Sequence, residues 1–175
     1  MLLFSLAYAT AAQSITLQHR CWDIVTEKDD GMPDVLVPMM TTAVDSGAML
    51  VAMSMKYLGT PYRYGGRTPK AFDCAGFAYY LYSQFGYSLP GWSGAQARLG
   101  VEVSDTRNLH AGDLVFFGGR GSKKKVGHTG IVVDADEQTG VFRFIHASTG
   151  AGVIISKSTE DYYRIRYITA RRILH

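Results

Sequence analysis

Residues 41–100 carry apolar side chains at helical spacing, which predicts three helices. The first is predicted over residues 41–58, and Gly59 and Pro61 should end it. The second should begin directly after Asp73, because an aspartate carboxylate accepts a hydrogen bond from an early backbone N–H group. A third, short helix is predicted over residues 93–99. Helices therefore precede the strands along the chain.

The second half of the chain changes to the two-residue period of β-strands. Its apolar runs are short and are separated by glycines or polar turns. The predicted strands cover residues 115–117, 130–133, 141–145, 153–155 and 163–168. Because helices come first and strands follow, we expect an α+β fold, with N-terminal helices packed on one face of a curved antiparallel sheet.

Length and composition indicate one globular domain. The chain has 175 residues, of which 47% are hydrophobic and 19% charged, a balance that suits a packed core. The predicted domain covers residues 41–175. Residues 13–40 lack periodicity and contain two prolines, so we interpret them as an arm or linker.

Residues 1–12 are apolar and resemble the remnant of a secretory signal peptide. Ala7-Tyr8-Ala9 and Ala9-Thr10-Ala11 both offer the small–x–small pattern of a cleavage site. The positively charged part of such a signal is missing, since no Lys or Arg precedes Arg20. We expect export, to the periplasm, the cell wall or the exterior. The apolar run is shorter than the ~20 residues that span a bilayer, so stable membrane insertion is not expected.

The formal net charge of +3 is small and does not indicate a nucleic-acid-binding protein. The dense basic cluster consists of Arg120, Lys123, Lys124 and Lys125, and no aromatic side chains alternate with it. We interpret this cluster as a solvated loop. No nucleic-acid partner is therefore predicted.

Cys74 is the first candidate for chemistry, because it should lie in the first turn of the second helix. The helix dipole and the unpaired N–H groups there favour negative charge, which predicts a lowered thiol pKa. The same N–H groups can hold the oxyanion that forms in acyl transfer. The alternative is a buried structural cysteine. Cys21 lies in the predicted arm, and we do not expect it to pair with Cys74.

His128 and His146 are the second candidates, because each lies at the end of a predicted strand. If the hairpin between them turns about Glu137, the two residues are directly opposite or one step off, ~5 Å apart. Both should lie beside the apolar face that the helix of Cys74 covers. The three residues would then supply a nucleophile, a base and a group that orients the base.

A zinc site is the competing interpretation of the same residues. One cysteine and two histidines can bind Zn²⁺ with water in the open position. No fourth, acidic ligand has metal-like spacing, and the start of a helix favours thiolate chemistry. We therefore predict no metal and no other cofactor.

Five short segments together resemble the NlpC-type cell-wall endopeptidases. The resemblance covers about residues 41–174 and implies a papain-like core and a thiol protease acting on peptidoglycan stem peptides or muropeptides. The usual target in that family is the amide bond between the side-chain carboxyl of D-glutamate and a diamino acid. The segments are Gly59-Thr-Pro-Tyr-Arg-Tyr-Gly-Gly66, Phe72-Asp-Cys-Ala-Gly-Phe77, Leu109-His-Ala-Gly-Asp-Leu-Val-Phe-Phe117, Gly127-His-Thr-Gly-Ile131 and Phe144-Ile-His-Ala-Ser148.

The resemblance implies a role for each of five residues. Cys74 resembles the nucleophile, His128 the general base and His146 the residue that orients the base. Tyr62 resembles a tyrosine near the oxyanion site, with a plain pocket-wall aromatic as the alternative. Asp73 resembles an aspartate that pairs with the free amine of the substrate, a role that is compatible with capping the helix.

Two departures from the family pattern bear on specificity. Ala75 follows the nucleophile where the family usually has serine, and Trp92 lies where an arginine is common. Trp92 could shape the rim of the cleft or cover the core. Two other functions therefore stay open: a wall amidase that cuts a different bond, and a stem-peptide-binding module without catalysis. We expect the protein to be a monomer.

Overall fold

The computed structural model describes residues 45–119 and 121–174. The predicted signal-peptide remnant at residues 1–12, the arm at 13–40 and Cys21 all lie outside the described residues. The first four residues of the first predicted helix also lie outside them.

The structure contains the three helices that the sequence predicts. Helix α1 spans Ser46–Met55, α2 spans Cys74–Ser83 and α3 spans Ser93–Gln96. Asp45 caps α1, since its carboxylate accepts from Gly47 N at 2.9 Å. Each predicted position is therefore confirmed, although α1 and α3 are shorter than expected. None of the described helices has the length and apolar character needed to cross a membrane.

A six-stranded antiparallel sheet forms the second layer. Its strand order is β3-β8-β4-β5-β6-β7, and a separate two-stranded ribbon, β1-β2, precedes α2. Short β1, β2 and β3 were not predicted. The bounds are β1 Arg67–Thr68, β2 Ala71–Phe72, β3 Val101–Glu102, β4 Leu114–Gly119, β5 Ser122–Ala135, β6 Phe142–Ser148, β7 Gly152–Lys157 and β8 Tyr167–Arg172.

The last predicted strand, residues 163–168, is wrong in its first half. Asp161–Arg164 forms a short helix, α4, and β8 begins only at Tyr167. The backbone N–H of Tyr163 bonds to the carbonyl of Glu160, a local helical bond that alternating side chains do not reveal. Because of this helical turn, the Tyr163 ring packs on the face of the sheet and is not part of a strand.

Both faces of the sheet are buried. The helical face packs against α1 and α2, whereas the opposite face is covered by the α4 side chain Tyr163 and by loop residues that include Leu109. Successive residues of one strand alternate between the two faces. The helical face carries Leu114, Phe116, Ile131, Ile145, Ala147 and Val153, and the opposite face carries Val115, Phe117, Val132, Phe142, Phe144 and Ala170. The predicted α+β fold, with helices on one face of an antiparallel sheet, is confirmed.

An ion pair between buried Asp113 and half-buried Arg172 ties the turn before β4 to the last strand. Asp113 is 3% exposed, and its two oxygens accept from Arg172 Nε at 2.9 Å and Nη2 at 2.8 Å. The same carboxylate accepts from the backbone N–H of His110 at 2.8 Å. The pair therefore fixes where β4, the neighbour of β5, enters the sheet.

Replacing Asp113 by Asn should destabilise the protein by about 2–4 kcal/mol, because the Arg172 guanidinium would lose its buried counter-charge. Urea unfolding followed by circular dichroism measures this loss. Asp105→Asn is the control, since the Asp105–Arg107 pair is exposed and should leave the midpoint close to that of the wild type. Equal midpoints for both variants would contradict the anchoring role of Asp113.

Candidate active site

Cys74, His128 and His146 all line one cavity of about 460 Å³. Cys74 enters it from the start of α2, and the two histidines enter it from β5 and β6. The sequence therefore predicted correctly that these three residues meet. Among the residues that the structure describes, the lining consists of Tyr62, Cys74, Gly119, Gly127, His128, His146, Ser148, Thr149, Gly150, Tyr162 and Tyr163.

Helix α2 places the Cys74 thiol beside strand β5. Asp73 caps the helix by accepting from Gly76 N at 2.6 Å, so Cys74 is the first helical residue. The backbone N–H groups of Thr129, Ala75 and Cys74 all lie close enough to the sulfur to lower its pKa. Since Thr129 follows His128 directly, its closeness to the thiol places the nucleophile beside the base.

The predicted lowering of the Cys74 pKa is wrong. Burial raises the pKa of this thiol, and the negative charge of Asp73 adds to the rise. The three backbone N–H groups lower the pKa but do not outweigh burial. The free thiol is therefore protonated near neutral pH, and its attack on a substrate requires a base.

The two histidines are hydrogen-bonded to each other across β5 and β6. His128 Nε2 lies 2.9 Å from His146 Nδ1, with the rings at 88° to one another. The predicted pairing was nevertheless wrong in register. Ile131 pairs with Ile145, and continuing this register places His146 opposite Gly130. His128 therefore lies two residues along β5 from the position opposite His146. The bond is diagonal rather than directly cross-strand.

The histidines also lie on the other side of the sheet from the one predicted. His146 packs on Phe144 and Tyr163, and His128 packs on Phe117. Phe144, Phe117 and Tyr163 belong to the opposite face, not to the helical face that α2 covers. Cys74 reaches the cavity because it is the first residue of α2, at the N-terminal end of the part of the helix that is buried on the sheet.

Gly130 makes the diagonal contact between the histidines possible. A Cβ atom at this position would come within 2.5 Å of Phe144 Cδ2 and 3.4 Å of His146 Cβ. The missing side chain leaves the space that the Phe144 ring occupies, directly beneath His146. The glycine in the motif Gly127-His-Thr-Gly-Ile131 is thus explained by close packing.

Burial keeps both histidines neutral. It lowers the pKa of His128 to about 4. Burial lowers the pKa of His146 to about 3, and the nearby charge of protonated His128 contributes to the shift. Neutral His128 has one ring nitrogen, Nε2, bonded to His146, which leaves Nδ1 as the nitrogen that can accept a proton. His128 can therefore act as a base at neutral pH.

Tyr62 and Asp73 differ in their relation to the cavity. Tyr62 is half-buried and lines it, which agrees with its predicted position near the reacting atoms. Asp73 is buried and does not belong to the lining; its two oxygens accept from the backbone N–H groups of Gly76 and Gly65. The capping role of Asp73 is confirmed, and its role toward a substrate amine stays a prediction.

The two departures from the family pattern lie outside the cavity lining. Ala75 is buried, and its carbonyl accepts from Gln96 Nε2 at 2.9 Å. Trp92 is 60% exposed at the N-terminal end of α3. Trp92 therefore does not cover the core, which was one of the two interpretations of this residue.

Sequence reasoning missed the tyrosines that close the cavity. Tyr162 and Tyr163 both line it from α4, and the Tyr163 hydroxyl lies 3.2 Å from His146 Nε2. Their segment alternates like a strand, which hid the helical turn. The aspartate and glutamate that precede the pair were the available signal, since acidic residues favour the start of a helix.

Within residues 45–119 and 121–174, no group of three His, Cys, Asp or Glu side chains is arranged to hold a metal ion. The ring nitrogens of His128 and His146 that face each other are joined by a hydrogen bond and are not both free to turn to one metal. The geometry favours thiol chemistry over the zinc alternative.

Comparison with known proteins places this site in a family. The family model for the NlpC/P60 family matches residues 59–172, which include every residue discussed in the cavity. The chain belongs to the NlpC/P60 family.

Two characterised relatives and one solved structure show the range of similarity. The chain is 39% identical over 132 residues to a murein DD-endopeptidase and LD-carboxypeptidase of Escherichia coli, covering 75% of this chain and 65% of the relative. It is 35% identical over 117 residues to a γ-D-glutamyl-L-lysine dipeptidyl-peptidase of Bacillus subtilis, covering 66% of this chain and 37% of the relative. An NlpC/P60 family protein of Bacillus cereus superposes with a TM-score of 0.64 at 32% identity, covering 73% of this chain and 40% of that one.

Substitution of Gly130 by Ala should destabilise the protein by about 1–3 kcal/mol, because the new methyl group must displace the Phe144 ring. The displaced ring should also move His146. Thermal unfolding measures the loss, and Gly121→Ala is the matched control because open space surrounds that glycine. A Gly130→Ala protein as stable as the control would contradict the packing explanation.

Acidification should destabilise the protein before its carboxylates titrate. In the folded protein the pKa of His128 is about 4 and that of His146 about 3, below the unfolded value of 6.5. Between pH 6.5 and these folded values, the unfolded chain therefore binds more protons than the folded protein. Stability is then complete above pH 6.5 and falls as the pH drops towards the folded values. Urea unfolding from pH 7 to pH 5 measures this slope.

His146→Asn should flatten that slope, whereas His110→Asn should not, because His110 is exposed. Identical slopes in both variants would show that the buried pair does not cause the pH dependence.

Proposed function

We propose that the protein is an exported cysteine endopeptidase that hydrolyses peptidoglycan stem peptides through an acyl-enzyme on Cys74. The observation that carries this proposal is the shared cavity of Cys74, His128 and His146, with the two histidines hydrogen-bonded to each other. Membership of the NlpC/P60 family and the activities in the names of the relatives support it. The chain spans 65% of the length of the Escherichia coli relative, so the activity of the whole protein is part of the proposal.

The first step is attack of the Cys74 sulfur on the substrate carbonyl. His128 removes the thiol proton at Nδ1 as the carbon–sulfur bond forms, since its Nε2 is bonded to His146. The raised thiol pKa and the lowered imidazole pKa indicate a neutral resting pair. Proton transfer therefore accompanies attack and does not precede it.

The start of α2 can stabilise the oxyanion of the tetrahedral intermediate. The backbone N–H groups of Cys74 and Ala75 lie close enough to the sulfur to lower its pKa, and they belong to the first turn, whose N–H groups have no partner within the helix. Tyr62 lines the same cavity. His128 then returns its proton to the leaving amine, the amide C–N bond breaks, and a thioester remains on Cys74.

Water completes the cycle. Neutral His128 takes a proton from water as the oxygen attacks the thioester carbonyl, and the proton passes to sulfur as the carbon–sulfur bond breaks. The products are a carboxylic acid and the restored thiol. No cofactor is needed for this sequence of steps.

We further propose the amide between the side-chain carboxyl of D-glutamate and a diamino acid as the scissile bond. The name of the Bacillus subtilis relative, a γ-D-glutamyl-L-lysine dipeptidyl-peptidase, supports this choice. The name of the Escherichia coli relative gives different murein bonds, so an enzyme of that other specificity is the second candidate. We also propose export to the periplasm or cell wall, which the apolar residues 1–12 and the place where such a substrate lies support.

Replacing Cys74 by Ala should abolish cleavage of muropeptides, because Cys74 is the one cysteine among the described residues that line the cavity. Mass spectrometry of muropeptides incubated with each protein measures the products. Wild-type protein should release fragments that end at D-glutamate. His110→Asn is the control and should cleave like the wild type, since His110 lies outside the cavity.

The other outcomes separate the alternatives. Fragments cut at a D,D or L,D bond would contradict the proposed scissile bond and favour the second candidate specificity. Cleavage that survives Cys74→Ala would overturn the nucleophile assignment. Binding of muropeptides without cleavage by folded wild-type protein would instead favour a stem-peptide-binding module.

A further inference from the structure

We propose that Tyr163 is a positioning residue that holds His146, and through it His128, in the tautomer that lets His128 act as a base. The inference rests on the proposed function in one respect: it assumes that His128 receives the Cys74 proton. It adds a fourth member to the group of interacting side chains, from a part of the chain whose sequence predicts a strand.

The three side chains form a continuous hydrogen-bonded row. His128 Nε2 lies 2.9 Å from His146 Nδ1, and His146 Nε2 lies 3.2 Å from the Tyr163 hydroxyl. Both ring nitrogens of His146 are thus engaged, one with the base and one with the phenol. The imidazole of His146 cannot change its proton from one nitrogen to the other without changing both contacts.

The surroundings of the row are largely apolar, and the Ser156 side chain is a further polar group close enough to the Tyr163 hydroxyl to affect its pKa. His146 is 1% exposed, and Tyr163 is 9% exposed. Phe117 packs against His128 and against the Tyr163 ring. Phe144 packs against His146 and against the same tyrosine ring. A donor or acceptor of His146 that lost its partner here would stay without one in an apolar setting, which is costly.

The reaction itself decides which way the protons point. Once His128 has accepted the Cys74 proton at Nδ1, both of its nitrogens carry hydrogen, so Nε2 must donate to His146. His146 must then have a bare Nδ1 and a proton on Nε2. That Nε2–H needs an acceptor, and the Tyr163 oxygen is the group placed to accept it.

The reverse order of protons would disable the base. If the Tyr163 hydroxyl donated to His146 Nε2, the proton of His146 would sit on Nδ1 and point at His128 Nε2. Neutral His128 would then carry its own proton on Nδ1, the nitrogen that must receive the thiol proton. The phenol oxygen, acting as acceptor, therefore selects the working arrangement.

Removing the hydroxyl with Tyr163→Phe keeps the ring that packs on Phe117 and Phe144 but leaves His146 Nε2–H without an acceptor. His146 should then shift its proton to Nδ1 in a large part of the molecules. We expect kcat on muropeptides to fall about 10- to 100-fold, by analogy with the loss of a partner that orients a metal-ligating histidine. The KM should stay near the wild-type value, because the variant keeps the ring that lines the cavity and removes only the hydroxyl that faces His146.

Nitrogen-15 NMR of the histidine side chains tests the proposal without any substrate. In the wild-type protein at pH 7, His146 should show hydrogen on Nε2 and none on Nδ1, and His128 should show hydrogen on Nε2. Hydrogen on His146 Nδ1 in the wild type would overturn the proposal whether or not Tyr163→Phe folds. The same spectrum of Tyr163→Phe should show the Nδ1–H form of His146.

Tyr167→Phe is the matched control, because Tyr167 packs on Phe117 and Phe142 of the same face but is not a member of the hydrogen-bonded row and does not line the cavity. It should keep the wild-type histidine spectrum and the wild-type kcat. An equal fall of kcat in both tyrosine variants, with unchanged histidine tautomers, would show that Tyr163 has only a packing role.

The proposed function and this inference can fail separately. Correct tautomers in a protein that cleaves no muropeptide would refute the proposed function and leave the role of Tyr163 intact. Cys74-dependent cleavage with full kcat in Tyr163→Phe would refute the role of Tyr163 alone.

Discussion

The burial of one face of α2 against the sheet is the constraint on which the site depends. Phe77, Ala78 and Leu81 are buried in the core that includes Ile131 and Ile145, so the axis of α2 is fixed relative to β5 and β6. Cys74 is the first residue of that helix, and its sulfur therefore meets the backbone of β5 at Thr129. The core that holds the helix also fixes the position of the nucleophile.

The second constraint is the burial of polar groups between the sheet and α4. Two imidazoles placed in apolar surroundings must remain neutral and must find hydrogen-bond partners. Here they bond to each other, and His146 completes its second bond with Tyr163. The same burial that lowers the pKa of His128 keeps it ready to accept a proton, while burial raises the pKa of Cys74. A neutral thiol beside a neutral base follows, rather than a stable ion pair.

Small residues are as important to this arrangement as the reacting ones. Gly130 leaves room for Phe144 beneath His146, and a Cβ on Gly76 would lie only 2.0 Å from the carbonyl oxygen of Gly66. The loop before α2 can therefore lie against the first turn of the helix, where Gly65 N also bonds to Asp73. The motifs around Cys74 and His128 thus combine chemistry with close backbone packing.

Local patterns in the sequence determined the α+β class, the positions of α1, α2 and α3, the cap at Asp73 and the membership of Cys74, His128 and His146 in one site. These depend on short-range preferences and on strands that are neighbours along the chain, so they can be read from residue spacing. Only the tertiary structure decided the diagonal register of the histidines, the sheet face they occupy, the pKa of Cys74 and the arrival of Tyr163 from α4. Register depends on the irregularity in β5 between Val132 and Asp134, and pKa values depend on burial by distant segments. Neither is encoded in the spacing of apolar and polar residues, because both are set by what the folded chain brings together.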